Sequence, residues 1–104
     1  MIRLSVMYPQ GEGKTFDLDY YAKKHMPLVK ARWGGMGLVR YEVDKGVAGG
    51  APGAPAPYVS IGHVYFNSLG ELQKAVAAHG PELFADVPNF TNITPQVQIS
   101  EIVG

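Results

Sequence analysis

The chain shows two kinds of hydrophobic periodicity, one typical of strands and one typical of helices. The order in which they occur limits the folds that the chain can adopt. Apolar and polar residues alternate over residues 2–8, 38–44 and 95–103, and residues 58–66 are apolar on both faces, so four strands are predicted. Two helical stretches lie between the first and second strands and between the third and fourth. The resulting order, β-α-β-β-α-β, is the split βαβ arrangement. It predicts an α+β domain in which a four-stranded antiparallel sheet carries both helices on one face.

The first helical stretch carries a titratable ring on its apolar side. Asp17 is placed to cap a helix of about 16 residues, which should bend near Pro27 and stop at the Gly34-Gly35 pair. The ring of His25 falls near the middle of the apolar arc, which is formed by Leu18, Ala22, His25, Val29 and Trp33, with Tyr21, Met26 and Leu28 at its margins. Such a ring is either hydrogen-bonded inside the core or directed into a cavity, and the sequence leaves both open.

The second helical stretch begins at a capping box, in which Ser68 and Glu71 satisfy free backbone N–H groups. Its apolar residues recur with helical spacing, and Gly80-Pro81 is expected to break or bend it. Residues 46–57, rich in Gly, Ala and Pro, should form an exposed connection between the second and third strands.

Both predicted helices cover the same face of the sheet, so the other face would be bare. The first three strands carry apolar or aromatic residues on both faces, and a bare apolar face of that size usually marks an interface. We therefore expect a homodimer in which two sheets pack face to face. A cavity could remain between the sheet and the helices, or between the two sheets.

Charge and composition exclude several classes of protein. The 104 residues suffice for one domain, 1–104, and nine basic residues balance nine acidic ones, so no nucleic-acid partner is expected. There is no cysteine, no apolar run that could span a membrane and no secretory leader, which favours a cytoplasmic protein. The three histidines lie on three different elements, so no metal is expected. No glycine fingerprint for a nucleotide or flavin follows a strand, so no cofactor is expected.

Three segments carry a resemblance to a known family. The first is Phe16-Asp17-x-Asp19-Tyr20-Tyr21-x-x-x-His25-Met26-Pro27-Leu28, the second lies between Gly46 and Phe66 and includes Tyr58-Val59-x-Ile61-Gly62-His63, and the third is Asp86-x-Pro88-Asn89-Phe90-Thr91. Together they resemble the EthD family of dimeric α+β barrel proteins, and the likeness extends over essentially the whole chain. The resemblance implies a ferredoxin-like fold and a dimer joined through its sheets.

The resemblance implies less about activity. The family is named after a gene cluster for ethyl tert-butyl ether breakdown, in which the redox chemistry belongs to a cytochrome P450 system. Related dimeric barrels include cofactor-free isomerases, cyclases and small monooxygenases with a pocket beside the sheet.

Candidate site residues follow from both arguments. His25 is the candidate acid or base, with Tyr21 one turn earlier to orient it or bind substrate, and Asp86 to pair with a histidine. Tyr41, His63 and Trp33 are candidate substrate-binding residues, depending on which sheet face lines the pocket. Each of these side chains could equally serve packing or a turn, and His79, near a helix end, is taken as structural.

Three hypotheses about function remain. The leading one is a small homodimeric barrel that binds an apolar or aromatic metabolite and acts as a cofactor-free isomerase or cyclase. The second is a non-catalytic binding protein that serves an oxygenase system. The third is a purely structural dimer with a filled interior, and a true reductase has the least support.

Overall fold

The sheet has the predicted four strands. The computed structural model describes residues 1–104 and places the strands at β1 (Ile2–Pro9), β2 (Leu38–Lys45), β3 (Tyr58–Phe66) and β4 (Gln96–Glu101). Their order across the sheet is β2-β3-β1-β4, and every neighbouring pair is antiparallel. With both helical segments this is the ferredoxin-like α+β fold that was predicted. Residues 46–57 connect β2 to β3 without helix or strand, as expected.

The first helix consists of three consecutive segments. They are α1 (Leu18–Tyr20), a π-helical turn (Tyr21–His25) and α2 (Met26–Trp33), and the side chain of Asp17 caps the start as predicted. The bend expected near Pro27 therefore takes the form of a wide turn just before it. A 3-10 turn, Gly34–Met36, follows α2, and the glycine that adopts a left-handed conformation is Gly37, with φ 105°. This position suits glycine because L side chains rarely adopt a positive φ.

The second helix, α3 (Leu69–Ala85), runs without a break through Pro81, so of the break or bend expected at Gly80-Pro81 the break does not occur. A proline inside a helix costs about 3 kcal/mol, because a hydrogen bond is lost and the ring crowds the preceding turn. Leu72 and Leu83, on either side of the proline, are both buried in the core. Their burial keeps the two halves of α3 on the sheet and offsets the cost. The predicted cap by Ser68 is present, with Ser68 Oγ accepting from the Glu71 N–H, whereas the Glu71 carboxylate accepts from the Ser68 hydroxyl rather than from its backbone N–H.

The core lies between the sheet and the helices. The strand register places Leu4 beside Val64 and Tyr8 beside Ser60, and alternate residues of each strand therefore face the helices. Thirteen buried side chains form one cluster there: Leu4, Tyr8, Tyr21, Met26, Val29, Trp33, Val64, Phe66, Leu72, Ala75, Leu83, Phe90 and Ile93.

The helix-free face of the sheet is mainly polar, which corrects the expectation of a bare apolar face. The register places Ser5 beside His63 and Glu42 beside His63 on this face, together with Arg3 beside Tyr65. These groups bond to one another across the strands: Ser5 Oγ lies 3.0 Å from His63 Nδ1, and the Tyr65 hydroxyl donates to Glu42 over 2.6 Å. The alternation was recognised correctly, but the strongly apolar side of β1 faces the helices.

Uncovered apolar side chains occur instead on the helix side of the edge strand β4. Val97 and Ile99, which lie beside Val6 and Leu4, are each 48% exposed because the two helices leave this edge open. No helix of the chain has both the length and the apolar composition needed to cross a membrane.

Candidate functional site

A small cavity lies between the sheet and the two helices. Its volume is about 50 Å³, and ten of its twelve lining residues are hydrophobic. The walls are formed by β1, β3, the first helix and the end of α3: Leu4, Val6, Tyr8, Tyr21, His25, Met26, Val29, Trp33, Gly62, Val64, Leu83 and Phe84. Apart from Gly62, His25 is thus the only lining residue that is not hydrophobic.

The π-helical turn determines which side chains of the first helix reach this cavity. Pro27 has no N–H, and in a regular α-helix its ring would meet the carbonyl of Lys23. A wider turn before the proline avoids that clash, and the Met26 N–H bonds to the Tyr21 carbonyl five residues earlier. As a result Tyr21 is buried, and Ala22, which a regular helix would place on the apolar arc, is exposed. The rings of Tyr21 and His25 stack at 16°, with centroids 5.4 Å apart.

His25 is paired with a carboxylate at the end of α3. Its Nδ1 lies 2.9 Å from Asp86 Oδ2. The other carboxylate oxygen, Oδ1, accepts from the Tyr20 hydroxyl over 2.8 Å and from Asn89 Nδ2 over 2.9 Å. Partial burial raises the pKa of Asp86, but the hydrogen bonds from Asn89, His25 and Tyr20 outweigh burial and hold the pKa below its ordinary value. Asp86 is therefore ionised at neutral pH.

The charge of Asp86 decides which nitrogen of His25 carries the proton. An ionised carboxylate only accepts hydrogen bonds, so Nδ1 must be the donor, and in the neutral ring Nε2 then carries the free lone pair. Nε2 has no hydrogen-bond partner in the protein. It is nevertheless in contact with solvent, because Arg3 Nε is the only side-chain nitrogen or oxygen that is both unpaired and buried away from solvent. The lone pair is therefore not sealed from solvent.

Two tyrosines, Tyr8 and Tyr21, also line the cavity. Burial raises the pKa of Tyr8 to about 12, and burial together with the neighbouring Tyr8 raises the pKa of Tyr21 further above its ordinary value. Both phenols therefore stay protonated at neutral pH. Gly62 makes room for one of them, because a Cβ at this position would overlap the Tyr21 hydroxyl oxygen. Tyr20 also keeps its proton, since its hydrogen bond to Asp86 raises its pKa.

The comparison with known proteins decides the family. Residues 10–94 match the model of the EthD domain, which is most of the chain. The chain belongs to the EthD family. An EthD-like protein from Ralstonia eutropha JMP134 is 44% identical, with a TM-score of 0.91 over 99% of this chain and 92% of that one.

More distant structures share the fold. An ethyl tert-butyl ether D (EthD) family protein from Bacillus halodurans C-125 has a TM-score of 0.75 at 22% identity over 99% of both chains. A dimeric ferredoxin-like protein from an uncultured marine organism has a TM-score of 0.64 at 14% identity, covering 100% of this chain and 96% of that one. No curated protein sequence matches the chain.

The EthD fold brings four of the six predicted site residues together. His25, Tyr21 and Trp33 line the cavity, and Asp86 lies directly behind His25. The indole N–H of Trp33 donates to the Ala75 carbonyl over 2.8 Å, so this side chain offers a ligand an apolar wall rather than a hydrogen bond. The roles of all four remain predictions.

The structure places the other two predicted residues elsewhere. Tyr41 faces the helices but packs at the margin of the core, outside the cavity wall. His63 lies on the helix-free face, where Ser5 and Asp44 occupy its two nitrogens. Neither contributes to the cavity beside His25.

Sequence reasoning missed several residues that shape the site. Tyr20 and Asn89 hold the carboxylate of Asp86, and Phe84 forms part of the wall. The Asp86-x-x-Asn89 spacing is that of a polar turn and was a usable signal for a local pair. Nothing in the sequence indicated that Tyr20 would reach Asp86.

No three His, Asp or Glu side chains lie close enough together to hold a metal ion.

Proposed function

We propose that this EthD protein binds a small apolar or aromatic metabolite in the cavity and moves a proton on it, with His25 as the base. The observation that carries the proposal is the pairing of His25 with ionised Asp86 while Nε2 remains free at an apolar wall. General acid–base catalysis by a positioned side chain contributes typically about 10²- to 10⁴-fold.

The arrangement supports isomerisation or cyclisation of a molecule with an acidic C–H bond. His25 Nε2 takes the proton from a carbon next to a carbonyl, and Asp86 stabilises the imidazolium that forms. A tyrosine hydroxyl is suited to hydrogen-bond the enolate oxygen. The proton returns to another atom of the same molecule, so the reaction needs neither an oxidant nor a cofactor.

Solvent deuterium exchange tests the proposal without knowledge of the product. In D₂O, the protein should speed the loss of C–H signals, followed by NMR, from unsaturated lactones and from ketones that carry a single aryl ring. Phenylacetone is the first probe. His25→Ala and His25→Asn should lower the protein-dependent rate by about 10²-fold or more. His79→Ala, on the outer part of α3, is the matched control and should keep the rate. Equal rates in folded His25→Ala and the parent protein would refute the assignment.

A second candidate is binding without turnover, as an accessory protein to an oxygenase. It is favoured by the scarcity of polar groups in the wall, where apolar contact would supply nearly all the affinity. It predicts that ligands raise the unfolding temperature while deuterium exchange stays at the rate without protein.

A homodimer joined through the helix-free faces is part of the proposal. Its support is that Ser5, His63, Glu42 and Tyr65 on this face are already bonded within the chain, so covering them costs little desolvation. The marine ferredoxin-like neighbour is described as dimeric. Sedimentation across a wide concentration range tests it, and a monomer at every concentration would contradict it.

A further inference from the structure

The cavity is too small for the ligand that the proposed function requires. An apolar cavity of about 150 Å³ can hold a benzene molecule, whereas this one measures about 50 Å³. About the volume of one ring must therefore be cleared before any aromatic molecule can lie beside His25.

One wall residue differs from the rest in its surroundings. Phe84 is 47% exposed, whereas the other lining side chains are buried, apart from the half-buried Val6. The cavity therefore opens to the surface between Phe84 and Val6. Val97, beside Val6 on β4, extends the apolar rim of this opening.

Phe84 is also less restrained than Phe90, the other phenylalanine that follows β3 in the chain. Phe90 contacts the rings of Tyr8, Phe16 and Tyr21 and belongs to the core cluster. Phe84 makes none of these ring contacts and lies outside that cluster. A half-exposed phenyl group in the last turn of a helix can change rotamer at little cost in packing.

We propose that Phe84 determines the size of ligand that this site accepts, and that the ligand presents a single apolar ring. The phenyl group of Phe84 is itself the size of benzene, so its outward rotation clears the space that one ring needs. A ligand ring then replaces it against Val6 and Leu83, near Nε2 of His25. Two fused rings exceed the cleared space. This proposal rests on the proposed function for the ligand's place beside His25.

Toluene and naphthalene are suitable probes, because neither has a group on which His25 could act. Binding is followed by isothermal titration calorimetry and by the indole N–H signal of Trp33, which is the only tryptophan and lines the cavity. Phe84→Ala should bind toluene about tenfold more tightly than the parent protein, since the ligand no longer displaces a half-buried ring. It should also bind naphthalene, which the parent protein should not. Phe84→Trp should weaken toluene binding.

Leu69→Ala is the matched control, since Leu69 is 44% exposed on the same helix but lies outside the cavity wall. It should bind both probes as the parent protein does. The proposal is overturned if Phe84→Ala binds toluene within twofold of the parent protein, or if neither probe moves the Trp33 signal in any variant. Loss of deuterium exchange on His25→Ala is a separate readout. If exchange depends on His25 but Phe84→Ala leaves ligand binding unchanged, only the proposed role of Phe84 is rejected. If Phe84→Ala changes ligand binding but no exchange occurs, only the proposed proton transfer is rejected.

Discussion

Two histidine–carboxylate pairs lie on opposite faces of the same sheet and differ in whether the second ring nitrogen of the histidine is free. His25 and Asp86 meet at 2.9 Å on the helix side, and His63 and Asp44 meet at 2.9 Å on the other side. The second ring nitrogen of His63 bonds to Ser5, whereas that of His25 has no partner. Asp86 is 14% exposed and Asp44 is 54% exposed. A histidine beside an acid is therefore not by itself a candidate base, and the state of the other nitrogen separates the two pairs.

The largest expected effect comes from replacing the carboxylate of the His25 pair, with the same change in the His63 pair as its control. Asp86→Asn removes the charge that requires the proton on Nδ1, so the lone pair of His25 is no longer held at Nε2. We expect the protein-dependent exchange of phenylacetone to fall by roughly 10²-fold or more. Asp44→Asn is the matched change on the other face and should leave the rate unaltered. Comparable losses in both variants would mean that the two pairs do not differ in the way described.

A smaller effect is expected from adding a methyl group at Gly62, where β3 approaches the first helix. Gly62→Ala places a methyl group on the Tyr21 hydroxyl, and overpacking of this kind costs about 1–3 kcal/mol of unfolding free energy. Gly70→Ala is the control, because a Cβ there meets nothing within 4 Å and alanine favours a helix. Urea unfolding should show Gly62→Ala less stable than the parent protein and Gly70→Ala at least as stable. Equal stabilities would show that Tyr21 is not held as tightly as the structure indicates.

The two faces of the sheet also show how much of the fold could be predicted from the sequence. Alternation and capping predicted the four strands, the starts of both helices and their order along the chain, because these signals are local and each agrees with the fold. The polar character of the helix-free face was missed. Single-strand alternation does not show that Tyr65 and Glu42, or Ser5 and His63, would pair across strands.

The site was predicted only in part, for a similar reason. A regular helix places Ala22 inside and Tyr21 at the margin, whereas the π-helical turn before Pro27 reverses their positions. A pairing of Asp86 with a histidine was proposed from residue type, and the structure shows that this histidine is His25. The hydrogen bond from Tyr20 to Asp86 could not be predicted, since it joins residues 66 positions apart.

The smallest effect should come from removing one donor to Asp86 while leaving the pair itself intact. Asn89→Ala deletes one hydrogen bond to a charged group, and at neutral pH we expect a loss of about 1 kcal/mol, at the low end because Asn89 is exposed. The folded-state pKa of Asp86 lies below the ordinary value of 3.8, so its stabilising contribution is present above that value and is lost as the pH falls through the folded pKa. The difference between the variant and the parent protein should therefore shrink on acidification, as measured by urea unfolding from pH 7 to pH 2.5. A difference that stays constant down to the lowest pH would show that Asn89 stabilises the turn itself rather than the ionised carboxylate behind His25.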